Sequence, residues 1–275
     1  MSVRWPAVAA ARSHDPSIRV PFVVDGRVVG SVARANLPAL AAWPQWLRVD
    51  DTGVALLAAE RDATLASVNA ALRAQGLIRA WRDEIFPLFD PDTRAVLAHI
   101  ERAATRFWGT LTLGAHANGY VADAAGQPTH VWIAQRSPHK ATDPGLFDNL
   151  IGGGVPAGQS PLQALVREGW EEAGLQPDQL AGAVAGRVIR LQREIPEGLQ
   201  VEDLHVYDLR LSADVVPANQ DGEVARFELL PVAQALALAA GDTMTVDAAL
   251  VTLDFGLRHD LLAPPPGAAA LFETA

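Results

Sequence analysis

A stretch in the middle of the chain combines glycines and acidic residues at a spacing that could hold a divalent cation. It reads GGGVPAGQSPLQALVREGWEEAGL, residues 152–175, and carries Glu168, Glu171 and Glu172 near its end. On an α-helix these glutamates would point into one sector, where each like-charge pair costs about 0.2–0.5 kcal/mol. Mg²⁺ prefers carboxylate oxygen, so a bound cation would turn this repulsion into attraction. The alternative is a solvated acidic helix end.

The residues around the glutamates predict where this helix begins and ends. Ser160 is a good N-cap, Pro161 suits the first helical position, and Gln163 can reach back as a capping-box partner. Gly174 suits a left-handed C-terminal cap. Apolar and small residues at helical spacing predict the buried stripe, namely Leu162, Leu165, Val166, Gly169 and Ala173. The sequence therefore predicts a helix over 161–173.

The rest of the chain supplies the elements that must position this helix. Near the N-terminus, VPFVVDGRVVGSV predicts a hairpin, followed by helices over 36–48 and 64–76 with a short buried strand, VALLAAE, between them. Further on, β-rich segments predict a sheet, and a helix is expected near 231–240. These segments are TLTLGAHANGYVAD, THVWIAQRS, AGRVIRLQREI and EDLHVYDLRLSA. The pattern predicts a mixed sheet flanked by helices, and the late proline run predicts a loosely packed tail.

The composition limits the classes of partner and the cellular location. A net charge of −10 over 275 residues argues against a protein that holds nucleic acid through a basic surface. The lack of cysteine excludes disulfides, thiolate metal sites and cysteine nucleophiles. No apolar run approaches the roughly 20 residues that span a bilayer, and MSVRWPAVAAARSHDPS is too weakly apolar for a signal peptide. We expect a cytoplasmic protein without nucleic acid or membrane as partner, and leave a homodimer open.

The acidic stretch resembles the Nudix box, the motif of hydrolases that cleave a diphosphate linked to another group. The matching positions are Gly153, position 159, Arg167-Glu168, Glu171-Glu172 and Gly174-Leu175. Two positions depart from the box: Gln159 replaces a glutamate, and Gly169 replaces a bulky aliphatic residue. In the family the residue at position 159 holds the box arginine, and a glutamine can still accept that hydrogen bond.

The resemblance reaches beyond the box. AHANGYV, WIAQRSPHKATDPGLFDNLIGGGVPAG and LDFGLRHDLL are similar to the Nudix branch that is fused to thiamine pyrophosphokinase in yeasts and occurs alone in bacteria and plants. That branch has an extra N-terminal domain, and the segment WRDEIFPLF of this chain resembles the end of that domain. The resemblance implies an α/β fold, a Nudix α/β/α sandwich with a mixed sheet preceded by a small α/β domain. The expected boundaries are 1–105 for the N-terminal domain, 106–262 for the Nudix domain and 263–275 for the tail.

The resemblance also implies a metal site built from acidic residues. Glu168 and Glu172 would be the principal ligands of Mg²⁺ or Mn²⁺, with Glu171 in the same cluster and the carbonyl of Gly153 as a backbone ligand. Family members often use a further acid from a later loop as base or ligand, and Glu223 is the best match in this sequence. The alternative for Glu223 is an exposed acid in a turn.

Four residues are candidates for holding the substrate. Arg136 and Lys140 follow the β-rich HVWIAQ segment and could bind phosphate, Arg through two hydrogen bonds and Lys as a point charge. Their alternative role is to solubilise the surface. His116 and Asn118 alternate along one predicted strand, which would place both on one sheet face, where they could bind a polar substrate group. Trp132 could stack on a heterocycle, although buried His and Trp residues more often belong to the core.

These expectations converge on one predicted function. The chain is predicted to be a metal-dependent pyrophosphohydrolase that converts an organic diphosphate to a monophosphate, with thiamine diphosphate or its damaged analogues as the expected substrate class. The alternative is a catalytically weak Nudix-fold protein that acts as a ligand-binding or regulatory protein. A related Nudix-fold isomerase acting on allylic diphosphates would need a reactive cysteine, which this chain lacks.

Overall fold

The computed structural model describes residues 5–140 and 142–272, and its first part contains two small sheets. The strands are β1 (Arg19–Val24), β2 (Arg27–Ala33), β3 (Leu47–Asp50), β4 (Gly53–Leu56), β5 (Ile85–Phe89) and β6 (Val96–Glu101). The α-helices are α1 (Pro6–Ala10), α2 (Leu37–Leu40), α3 (Arg61–Ala74) and α4 (Arg102–Trp108). One sheet has the order β2-β1-β4-β3, and β5 pairs with β6 in the other. Both pack on a core of their own, centred on Phe22 and Trp108.

The second part is built around one sheet of seven strands. The strands are β7 (Leu111–Ala122), β8 (Pro128–Arg136), β9 (Phe147–Asp148), β10 (Ile151–Gly154), β11 (Val184–Ile195), β12 (Gly198–Arg210) and β13 (Val224–Pro231). The helices are α5 (Pro161–Ala173), α6 (Pro177–Leu180), α7 (Val232–Ala239), α8 (Val246–Arg258) and α9 (Ala269–Phe272). The sheet order is β11-β12-β7-β8-β13, with β10 paired to β7 and β9 to β8.

The large sheet is mixed and lies between two helical layers. β7 runs parallel to β12 and antiparallel to β8 and β10. Helices α5 and α6 share one apolar cluster with the sheet, whereas α7 and α8 share another. The predicted α/β/α sandwich preceded by a smaller α/β region is confirmed. In the described part of the chain, no helix combines the length and apolar character that crossing a membrane requires.

Most of the predicted elements in the first part are present, with one error. The hairpin turns at Asp25 and Gly26, both with positive φ, as a tight turn between twisted strands requires. The predicted helix over 36–48 is wrong, because α2 ends at Leu40 and Leu47 already belongs to β3. Pro44 disfavours helical geometry at the residue before it, and pairing with β4 buries Leu47. The predicted helix over 64–76 corresponds to α3.

The C-terminal segment is more tightly packed than its prolines predict. Leu271 and Phe272 of α9 are buried, and the Phe272 ring meets that of Trp5 edge-on at 6.1 Å between centroids. The prediction of a loosely packed tail is therefore wrong for this helix, because its apolar side chains complete the core beside β11. Residues 273–275 of the predicted tail lie outside the described residues.

The first part of the chain packs directly on the loop that carries the acidic stretch. The backbone N–H of Ala157 donates to the carbonyl of Ile85 in β5 at 2.8 Å. Helix α4 lies against β12, where Arg106 pairs with Glu202 at 2.9 Å. These contacts place the end of the N-terminal region beside β10, the strand of glycines that precedes α5.

Candidate active site

Helix α5 has the ends that its sequence predicts. The side chain of Ser160 accepts from the Gln163 N–H, and the Gln163 side chain accepts from the Ser160 N–H, which completes the capping box. Pro161 occupies the first turn, and Gly174 closes the helix with φ of 66°. The predicted span of 161–173 is confirmed, so the spacing of the glutamates along the helix is fixed.

The three glutamates of α5 divide between two environments. Glu168 and Glu172 lie on the buried face of the helix together with Leu165, with side chains 12% and 8% exposed. The Glu171 side chain is 39% exposed. Leu162, predicted in the buried stripe, is 47% exposed. The three glutamates lie within an arc of about 100° on the helix, with Glu168 and Glu172 on its buried side and Glu171 at its solvent edge.

The glycines of β10 make room for these two carboxylates. A Cβ on Gly153 would lie 2.2 Å from Oε1 of Glu168, so only glycine fits against that side chain. Beside it, the Gly152 N–H donates to Oε2 of Glu172 at 2.9 Å. The pair of carboxylates therefore rests directly on the backbone of the glycine strand.

The strand register identifies which carbonyl faces the carboxylates. Val155 N–H donates to Leu113 in β7, and the N–H of Gly152 faces the other way, toward Glu172. Successive residues of a strand direct their N–H and C=O groups to opposite edges. The carbonyl of Gly153 thus faces β7, and that of Gly152 faces the free edge of β10. The candidate backbone ligand shifts from Gly153 to Gly152.

Basic side chains neutralise part of the acidic cluster. Arg167 donates to Glu168 at 2.8 Å and to Glu171 at 2.7 Å. The predicted contact with Gln159 is present, since Arg167 Nε donates to its Oε1 at 3.4 Å. The site residues thus include an arginine that spans two of the glutamates.

A second basic residue links α5 to the loop before β13. Lys140 Nζ lies 3.5 Å from Oε1 of Glu172 and also contacts Oε2 of Glu223. Burial alone would raise the pKa of Glu223, but the hydrogen bond and charge of Lys140 hold that pKa below its ordinary value. Lys140 therefore holds together two of the predicted site acids and keeps the Glu223 carboxyl ionised.

The two buried carboxyls are costly to ionise despite these basic partners. Burial raises the pKa of Glu172 to about 8, and the charge of Lys140 opposes this only in part. Burial also raises the pKa of Glu168, while Arg167 opposes the shift. Two carboxyls that are costly to ionise, set beside an outward-facing carbonyl, are the oxygen donors that a hard divalent cation prefers. The residues fit such an ion, although no group of three or more His, Cys, Asp and Glu converges within residues 5–140 and 142–272.

We expect the stability of the metal-free protein to fall as the pH rises from about 5 to 8. Glu172 loses its proton near its ordinary pKa of about 4.3 in the unfolded chain but only near 8 in the folded protein. Between these values the folded state binds the additional proton, so raising the pH lowers the free energy of unfolding. Melting curves with chelator should show a smaller decline for Glu172→Gln than for wild type. Equal pH slopes for the two proteins would contradict a buried, neutral Glu172.

A cavity of about 450 Å³ opens next to the glycine strand. It is lined by Gly152, Gly153, Gly154 and His116, and by charged side chains from both parts of the chain. The principal charged residues are Arg82, Arg102, Arg106, Arg136, Arg193, Asp148, Glu202 and Asp247. A cavity of this size can enclose a small organic molecule.

The structure brings two of the four predicted substrate residues to this cavity. His116 lines it, with Nδ1 3.1 Å from Oδ1 of Asn149. Arg136 lines it too, but donates to Asp148 at 2.8 Å and to the Thr142 carbonyl at 2.8 Å. Asn118 shares the sheet face of His116, as predicted, yet it is fully buried and bonded within the core. Lys140, the fourth, contacts acidic residues instead.

Comparisons with known proteins identify the family to which the chain belongs. The NUDIX domain model matches residues 112–248, and a domain of unknown function (DUF4743) matches residues 5–112. The chain is 34% identical over 264 residues to Nudix hydrolase 24, chloroplastic, of Arabidopsis thaliana, covering 92% of this chain and 72% of that protein. The chain belongs to the Nudix hydrolase family. As such, it is a hydrolase that acts on pyrophosphate bonds.

A second plant protein and a solved bacterial structure are also similar to this Nudix hydrolase. Nudix hydrolase 20, chloroplastic, of Arabidopsis thaliana is 33% identical over 265 residues, covering 89% of this chain and 69% of that protein. A crystal structure of a Deinococcus radiodurans protein is 24% identical with a TM-score of 0.47, covering 62% of this chain and 98% of that one. The two plant relatives match across both parts of the chain, so the N-terminal region accompanies the Nudix domain in them.

The N-terminal region contributes site residues that the sequence analysis missed. Arg82, Arg102 and Arg106 all line the cavity. The segment ERAATRFW carried a sequence signal for a basic helix face. Arg102 and Arg106 are four residues apart in it and so share one face of a helix. Glu202 and Asp247 were missed because each stands in a segment with no recognisable motif, and only the fold brings them to the Nudix cavity.

We expect Gln159→Glu to keep at least the wild-type rate of this Nudix hydrolase. A carboxylate at position 159 would accept the Arg167 hydrogen bond more strongly than the amide does. The change restores the residue that the Nudix box has at this position. Initial rates and melting temperatures of the two proteins test this. A collapse of the rate would show that the Gln159 amide has a role of its own.

Proposed function

We propose that the protein is a divalent-metal-dependent pyrophosphohydrolase that converts an organic diphosphate to a monophosphate. One observation carries the proposal: the buried carboxyls of Glu168 and Glu172 lie one helical turn apart against the glycine strand. Their burial is costly for a protein without a cation, and the cavity for the organic group opens beside them. Water would add to one phosphorus, the anhydride P–O bond would break, and each product would carry one phosphate.

The proposed metal ligands are oxygen atoms of three residues. Glu168 and Glu172 would supply carboxylates and Gly152 would supply its carbonyl. When bound, Mg²⁺ or Mn²⁺ offsets the negative charge that builds on the phosphate oxygens and lowers the pKa of a coordinated water. In the metal-free protein Lys140 lies beside Glu172 and Arg167 pairs with Glu168, so both would shift toward other partners as the ion binds.

Other residues of the chain would accept the proton of the attacking water and bind the phosphate oxygens. Glu223 is held ionised by Lys140, which suits an acceptor for the proton that the attacking water loses. Arg136 stands at the cavity wall, where its guanidinium could donate to phosphate oxygens in place of the Thr142 carbonyl. Glu171, exposed and paired with Arg167, would hold that arginine instead of the metal.

For the organic group we propose thiamine diphosphate or one of its damaged analogues. The resemblance of the AHANGYV and RSPHKATDPGLFDN segments to the branch fused to thiamine pyrophosphokinase supports this substrate class. The cavity adds a second support, because Glu202 and Asp247 line it and offer carboxyl oxygens that can accept hydrogen bonds from an amino-substituted ring. Trp132 lies in the core and does not line the cavity, so stacking on that residue is not part of the proposal.

We expect thiamine-type diphosphates to have higher kcat/KM than ADP-ribose or nucleoside triphosphates. Damaged analogues should be preferred to the intact cofactor, which a useful enzyme must spare. Purified protein with Mg²⁺ or Mn²⁺ would be assayed against this panel, with the phosphate products resolved by chromatography. A clear preference for a nucleotide would contradict the thiamine proposal and leave diphosphate hydrolysis standing. No turnover of any diphosphate with either metal would favour a ligand-binding protein instead.

A further inference from the structure

The N-terminal region places an arginine beside the candidate metal site. Arg102 begins α4, and its guanidinium carbon lies 3.6 Å from the position that a Cβ of Gly154 would take. It therefore faces the last glycine of β10, whereas Glu168 and Glu172 contact the two before it. The negative charges of Glu84, Glu202 and Glu168 raise the pKa of Arg102 against the effect of burial. This arginine is charged and close to the carboxylates of α5.

The neighbours of Arg102 hold its guanidinium in place without using all its donors. Nη1 donates to Oε2 of Glu84 at 2.8 Å, and the guanidinium lies 5.5 Å from the centre of the Phe86 ring. Within the described part of the chain, Nε and Nη2 of Arg102 make no hydrogen bond. The side chain also lines the cavity. Two N–H directions are thus free at a fixed position on the cavity wall.

We propose that Arg102 binds a phosphate oxygen of the substrate, so that the N-terminal region supplies part of the active site. This inference rests on the proposed diphosphate substrate and assigns the region a role in binding it. A guanidinium can donate two parallel hydrogen bonds to phosphate oxygens, which a lysine cannot do. Arg82, 3.5 Å from Glu223, and Arg106 line the same wall and would add to the positive field. Residues 112–248, which the NUDIX domain model matches, contain none of these three arginines.

The test measures phosphate binding separately from turnover. Calorimetry with inorganic pyrophosphate and chelator would compare the full-length wild type with Arg102→Gln and Arg102→Lys. We expect Arg102→Gln to weaken pyrophosphate binding by roughly tenfold or more, the equivalent of one charge-assisted hydrogen bond, and Arg102→Lys to fall between the two. In the metal-loaded enzyme the KM should rise by a similar factor. Arg61→Gln is the matched control, because Arg61 also pairs with a carboxylate in this region but does not line the cavity.

The outcomes separate this inference from the proposed function. Wild-type turnover with unchanged KM and pyrophosphate affinity in Arg102→Gln would overturn the role of Arg102 and leave the hydrolase proposal intact. Weaker pyrophosphate binding in Arg102→Gln, in a protein that hydrolyses no diphosphate, would support the role of Arg102 and refute the hydrolase proposal. If Arg102→Gln fails to fold, Arg102→Lys carries the test, and wild-type affinity in that variant would overturn the two-hydrogen-bond contact.

Discussion

Replacing Glu172 by glutamine should lower the rate of diphosphate hydrolysis on the order of 100-fold at limiting Mg²⁺, with little change in folding. The amide cannot ionise, so the pair of carboxylates would lose half of its charge. The fold should tolerate the change because burial raises the pKa of Glu172 to about 8, so the carboxyl is mostly neutral at pH 7 in the metal-free protein. Glutamine has nearly the same shape, and its oxygen can still accept the Gly152 N–H.

The control for this prediction is the neighbouring glutamate. Glu171→Gln changes the charge by the same amount, but its side chain is exposed and paired with Arg167. We expect it to reduce the rate far less than Glu172→Gln. Initial rates over a range of Mg²⁺ concentrations, with circular dichroism of each variant, provide the comparison. Retention of half the wild-type rate by Glu172→Gln at limiting Mg²⁺ would refute its assignment as a metal ligand.

Replacing Gly153 by alanine should impair the same site, because the change is made in the strand that packs against Glu168. The new Cβ would lie 2.2 Å from Oε1 and 2.3 Å from Cδ of Glu168, so the carboxylate would have to leave its position. Overpacking of this kind costs about 1–3 kcal/mol in stability. We expect a loss of activity on the order of 100-fold, because the displaced carboxylate can no longer act with Glu172. Melting temperatures and kcat/KM would be measured together.

A glycine elsewhere provides the matched control. Gly182, in the turn after α6, has no heavy atom within 4 Å of a Cβ and no positive φ. Gly182→Ala should therefore keep both stability and activity near the wild-type values. Wild-type activity in Gly153→Ala as well would show that the position of Glu168 against the strand is not needed for the reaction.

The sequence predicted the parts of the fold that local chemistry determines. The ends of α5 follow from Ser160, Pro161 and Gly174, whose side chains and backbone preferences act within one helical turn. The structure of the segment over 36–48 is instead determined by a contact outside the segment, because Leu47 becomes a strand residue by pairing with β4. No local pattern reports a strand partner that follows later in the chain.

The candidate site was predictable where one segment carries it. Glu168 and Glu172 belong to a single helix with a recognisable motif, so their closeness follows from helix geometry. The exposure of Glu171 did not follow, since the burial of each side of the helix depends on the strand packed against it. Arg102 is far from the motif in sequence and reaches the site because β5 bonds to the loop at Ala157 and α4 packs against β12.

Electron paramagnetic resonance of Mn²⁺ measures directly whether Glu168 and Glu172 hold a divalent ion. The signal of free Mn²⁺ would be followed as wild type or the Glu168→Gln/Glu172→Gln double variant is added, with folding checked by circular dichroism. We expect wild type to remove the free-ion signal and the double variant to leave most of it at the same protein concentration. Equal Mn²⁺ binding by the two folded proteins would contradict the claim.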